Sequence, residues 1–146
     1  MLMGILAFFL VSMIISQYYN ALSKAELQKK RKAEYGSLQF TGKVIHYRVY
    51  RYMNKNYYQV CVKLDSARVK DIFIFNDDDC LKIKNGMATF SAGFLNHTLG
   101  SADSVAVNMN HSGKIELYYK KDNVLTKTDF GFDPMGLQKS DLNNCN

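Results

Sequence analysis

The sequence predicts a mainly β protein: a small antiparallel barrel or sandwich preceded by a single N-terminal transmembrane helix. Three observations carry that expectation. Residues 1–22 contain no charged side chain, and a basic cluster comes directly after them. From Leu38 the apolar pattern changes to a two-residue alternation rich in Val, Ile, Tyr and Phe, the signature of strands. Polar and Asn-Gly turn signals then recur every few residues, which is the spacing of short antiparallel strands.

The first 22 residues are apolar on every helical face up to Ser16. As a helix they would be about 33 Å long, which matches the hydrocarbon thickness of a bilayer. Tyr18 and Tyr19 would then lie at the water interface. The reading is an uncleaved anchor over residues 1–22. A cleaved signal peptide is the alternative, because Ala21-Leu22-Ser23 has the small-x-small form of a cleavage site. Against it, no Lys or Arg precedes the apolar run, the run is long, and the basic residues after it oppose translocation. A core helix is a third reading, but the 109 residues that remain offer little surface to bury it.

Residues 23–37 form a basic helical linker with five Lys and Arg against two Glu. Ser23 and Glu26 have the spacing of a capping box, and Gly36 is the expected stop. Lys29, Lys30, Arg31 and Lys32 are the candidate membrane-surface residues, able to meet anionic headgroups of a lipid bilayer. The charge rule places the C-terminal domain in the cytoplasm. Both orientations stay open.

Residues 38–130 form the β-domain. Phe40 to Tyr52 reads as a long first strand, Met53 to Asn56 as a turn, and Tyr57 to Asp65 as its hairpin partner. In that partner Tyr58, Val60, Val62 and Leu64 share one face, and Gln59, Cys61 and Lys63 the polar one. Val69 to Phe75 is a third strand, ended by Asn76 to Asp79. Leu81 to Phe90 is ambiguous, with Asn85-Gly86 inside it. Ser104 to Met109 and Lys114 to Tyr119 form a later hairpin around Asn110 to Gly113, and Val124 to Phe130 can close the sheet. The order of elements is similar to a five-stranded OB-like barrel. Residues 131–146 read as a partly ordered tail.

Gly42-Lys-Val44, Gly100-Ser-Ala-Asp-Ser-Val105 and Gly113-Lys-Ile115 give the chain a resemblance to small, uncharacterised bacterial proteins with one N-terminal membrane segment and a compact β-domain. Ala102 stands where that group commonly has Gly. The resemblance implies that architecture and an exported domain; it brings no activity.

Chemistry-bearing residues are sparse. His46, His97 and His111 have no metal-ligand spacing, Asn76 to Asp79 lacks the order of a calcium loop, and phosphate-binding glycine motifs are absent. No metal and no cofactor is expected. Three cysteines, Cys61, Cys80 and Cys145, lean toward a reducing compartment, with one pair plus a free thiol as the alternative. The surface with most content is basic and aromatic: His46, Arg48, Tyr50 and Tyr52 on one side of the first strand, with Tyr57 beyond the turn. Such a mixture serves a protein partner or simply clads a sheet; nucleic acid is not expected. The function expected is therefore a membrane-anchored, non-catalytic β-domain binding a protein or envelope component. The alternatives are a small thiol-dependent enzyme using Cys61 or Cys80, and an OB-like nucleic-acid binder.

Overall fold

The computed structural model describes residues 2–36, 38–93, 99–100, 103–109, 115–121, 124–132 and 134–145. Two compact units separate between Gly36 and Ser37. The first is one helix, α1 (Leu2–Tyr35). It runs unbroken through the expected linker, so Ser23 caps nothing: its Oγ donates to the Asn20 carbonyl 3.2 Å away, inside the helix. Among the described residues no helix is long and apolar enough to cross a membrane. The described apolar side chains give way after Ser16 to Gln17, Tyr18, Tyr19 and Asn20, and the charged residues begin at Lys24. The single-pass transmembrane anchor and the membrane localisation expected from the sequence are thereby corrected.

The second unit is one antiparallel sheet. Its strands are β1 (Gln39–Tyr52), β2 (Lys55–Ala67), β3 (Ile72–Phe75), β4 (Cys80–Lys84), β5 (Met87–Gly93), β6 (Ser104–Met109), β7 (Ile115–Lys121) and β8 (Val124–Phe130). They lie in the order β3-β4-β5-β2-β1-β6-β7-β8. The mainly β expectation holds, and the barrel, sandwich and OB-like expectations do not. The sheet is not closed, because β8 pairs with β7 alone and β3 with β4 alone. The ambiguous stretch resolves into β4 and β5, turned by Asn85-Gly86 with φ of 53° and 74°, a hairpin turn that needs both residues left-handed.

The sheet curls instead of closing. Phe40 on β1 and Phe90 on β5, with β2 between them, bring their ring centroids to 6.0 Å. Phe132, just past β8, meets Phe90 edge-on at 5.6 Å, and its carbonyl accepts from the amide of Cys80 at 2.6 Å. The inner face buries Phe40, Val44, Val60, Val62, Leu81, Phe90, Val107 and Leu117 almost completely. Lys127 on β8 makes a 2.8 Å ion pair with Glu116 on β7, and the hydrogen bond to Glu116 raises the lysine above its ordinary value.

The bend sits in β1. Pairing with β2 slips between Thr41 and Gly42 and again between Val44 and His46, where Ile45 is the extra residue. At Gly42 the neighbouring backbone comes so close that a Cβ would lie 2.2 Å from the Lys63 carbonyl oxygen and 2.6 Å from Val62 Cγ1. Since the obstacle is backbone, no rotamer relieves it. Gly42→Val is expected to cost about 1–3 kcal/mol of stability by overpacking, read from urea unfolding of the variant against wild type. Unfolding at an unchanged urea midpoint would show that β1 and β2 do not approach this closely.

Candidate functional site

Register decides which side chains share a face. His46 pairs with Cys61, Arg48 with Gln59, Tyr50 with Tyr57 and Tyr52 with Lys55. His46, Arg48, Tyr50, Tyr52 and Tyr57 therefore do lie on one face, the outer one, opposite Val44, Val60 and Val62. The structure uses the rings of that face internally. Tyr50 stacks on Tyr57 at 5.6 Å, Tyr52 meets Tyr57 edge-on at 6.4 Å, and Tyr50 Oη shares a 2.6 Å hydrogen bond with Ser91 Oγ. Tyr57 is buried, and Tyr50 is half-buried. His46 and Arg48 remain exposed, and Tyr52 just so.

What covers the rest of this face is the C-terminal segment. A Cβ on Gly136 would lie 3.2 Å from Tyr50 Cε2 and 3.3 Å from Tyr52 Cβ. Gln59 Nε2 donates to the carbonyl of Asp141, in the short 3-10 helix Lys139–Asn143. Lys82 Nζ donates to Asn143 Oδ1 at 2.5 Å, and Thr89 Oγ1 lies 2.8 Å from Cys145 Sγ. Leu142 is 1% exposed. A disulfide joins Cys61 to Cys145 across 84 residues of sequence. So the segment read as a partly ordered tail is a strap bonded over β1, β2, β5 and β4. It also explains why Gln59 and Cys61, assigned to a polar face, are 3% and 0% exposed.

The thiols lose their expected chemistry for the same reason. Cys61 is held in the disulfide, and Cys80, which stands outside it, is 0% exposed. A buried thiol that no reagent can reach is a poor nucleophile. The odd cysteine count thus resolves as one pair plus a buried thiol, correcting the lean toward a reduced chain. His97 and His111 lie outside the described residues. Among the described residues no group of three metal-ligating side chains forms. Asn76 Oδ1 accepts the amides of Asp78 and Asp79, each at 2.9 Å, so the acidic turn is organised around Asn76.

Two open clefts flank the Asn85-Gly86 turn. One, of about 420 Å³, is lined by residues including Leu64, Asp65, Lys70 and Asp71; the other, of about 690 Å³, by residues including Phe73, Lys82, Lys84 and Asn143. Neither brings a thiol or an imidazole to the other polar groups. Lys29, Lys30 and Lys32 are exposed on α1 and Arg31 is half-buried there.

One surface property escapes a face-by-face reading. Residues 39–64, essentially the β1–β2 hairpin, hold five of the 14 Lys and Arg of residues 38–146 and none of the 11 Asp and Glu. Lys43, Arg48, Arg51, Lys55 and Lys63 are all charged members of that stretch, and His46 stands exposed among them. Lys43, Arg48, Arg51, Lys55 and Lys63 are all exposed. Arg51 belongs to the opposite face from Arg48, so the positive charge surrounds the hairpin and is not confined to one side. A charge tally by strand, instead of by domain, finds it. No family model matches the chain, and neither a curated protein nor a solved structure matches it.

Native protein is expected to take up no maleimide at any cysteine. After reduction Cys145 should label, while Cys61 and Cys80 label only in denaturant, as peptide mass mapping would show. Rapid labelling of Cys80 in the native state would restore the thiol chemistry.

Proposed function

We propose that the β-domain is a non-catalytic binding module that docks an acidic surface of a partner protein through its β1–β2 hairpin. The observation that carries this reading is the carboxylate-free hairpin, with all five of its cations exposed beside a remainder that is slightly acidic. Such asymmetry steers a partner of opposite charge and fixes its orientation. The disulfide that holds Cys61, the inaccessible Cys80 and clefts lined by neither a free thiol nor an imidazole support binding over thiol catalysis. The packing of the tyrosines supports protein over nucleic acid. Single strands stack their bases on open aromatic faces, and Tyr57 is buried beneath Tyr50 and Tyr52.

The test is fluorescence anisotropy of the full chain with three labelled probes: a ten-residue oligoglutamate, a ten-residue oligolysine and a ten-nucleotide oligothymidylate. Oligoglutamate is expected to bind, to weaken about tenfold on raising salt from about 50 to about 200 mM, and to weaken again in the Arg48→Glu, Arg51→Glu double variant. Oligolysine is expected not to bind. Equal or tighter binding of the oligothymidylate would move the reading to nucleic acid. Indifference of every probe to the double variant would end it.

A further inference from the structure

The open edge of β1 shows how such a partner would be held. Past Lys43, no strand among the described residues pairs with β1 on the side away from β2, and the last bond there runs from the Val44 amide to the Asp103 carbonyl at 2.9 Å. From Ile45 to Tyr52 the strand continues for eight residues, about 26 Å at 3.3 Å per residue, with β2 as its one partner.

Hydrogen-bond parity identifies the groups that face outward. Met53 and Asn54, with φ of 46° and 63°, form a two-residue turn between Tyr52 and Lys55. The pair flanking such a turn exchanges both of its backbone bonds, and alternate pairs along the ladder do the same. Tyr52, Tyr50, Arg48 and His46 therefore bond to β2. The N–H and C=O groups of Tyr47, Val49 and Arg51 point the other way. The Ile45 bulge accounts for the change of parity, since before it Leu38 and Val44 bond toward β6. Val49 and Ile45 are 46% and 43% exposed along this edge.

We propose that the edge from Tyr47 to Arg51 accepts an extended acidic segment of a partner protein as an added β-strand. This rests on the acidic-partner reading above and specifies its mode. Backbone bonds to Tyr47, Val49 and Arg51 supply the affinity; Arg48 and Arg51, on opposite faces, select carboxylates on both faces of the incoming strand, at positions an odd number of residues apart. Charge decides between the occupants. A second antiparallel copy laid along the same edge would bring the two copies of Arg48 together on one face and the two copies of Arg51 together on the other, like charges of the kind by which edge strands resist self-pairing. The charges that repel a copy attract an acidic strand.

A labelled ten-residue peptide repeating Glu-Glu-Thr-Thr, which carries carboxylates on both faces of a strand, tests the proposal against the full chain with its disulfide intact. Binding is expected, and N-methyl groups on two adjacent central residues, which block both edges of the peptide without changing its charge, should weaken it at least about tenfold. Val49→Pro, which removes an outward N–H at a position where an edge strand tolerates proline, should do the same with circular dichroism and the disulfide unchanged. Equal binding of the methylated peptide, with sensitivity to Arg48→Glu and Arg51→Glu kept, would overturn strand addition and leave charge docking standing. Failure of both peptides to bind would overturn both. A dimer in solution that Val49→Pro dissociates would replace the acidic segment with a second copy.

Discussion

The close approach of β1 to β2 at Gly42 is the constraint on which the rest of the domain depends. It permits the first bulge, and the second bulge at Ile45 comes three residues later. Between them they let a single strand serve two geometries. Its first half is held between β2 and β6, and its second half leaves β6 behind and continues with β2 alone. A straight strand without these bulges would keep the sheet flatter, and the two halves of the core around Phe40 and Phe90 would lose their contact.

Burial on the two faces of the sheet has different origins. The inner face excludes water through its own aliphatic and aromatic side chains, as alternation dictates. The outer face of β1, β2 and β5 carries Gln59, Thr89 and Ser91, polar groups whose burial is costly unless they are bonded. The strap makes part of that burial tolerable, giving Gln59 the Asp141 carbonyl and placing Thr89 beside Cys145. Tyr50 does the same for Ser91. Polar contacts, one covalent bond and the buried side chains of Leu142 and Tyr57 together cover that side.

Much of this is legible in the residues. The long strand at Phe40 to Tyr52, the turn at Met53, the strand at Ser104 to Met109 and the strand at Val124 to Phe130 emerge from alternation and turn chemistry to within a few residues. The shared face of His46, Arg48, Tyr50 and Tyr52 comes from the period of two. What alternation does not contain is long-range closure. Nothing near Val124 says whether β8 meets β3, so a barrel and a curled sheet look alike in sequence. Pairing of Cys61 with Cys145 is equally invisible at a distance of 84 residues, and with it the burial of a face that looks polar. The N-terminal run misleads for a simpler reason: Gln17, Tyr18, Tyr19 and Asn20 lack charge without being apolar.

The disulfide also imposes an order of events. During synthesis Cys61 and Cys80 both exist before Cys145, and they lie only 19 positions apart in the chain. Cys80 pairs opposite Phe75 and is fully buried in the folded domain, which leaves Cys61 and Cys145 as the pair that can meet. The outer face stays uncovered until the strap is made, so residues that follow all eight strands in the chain finish a surface laid down by the first ones.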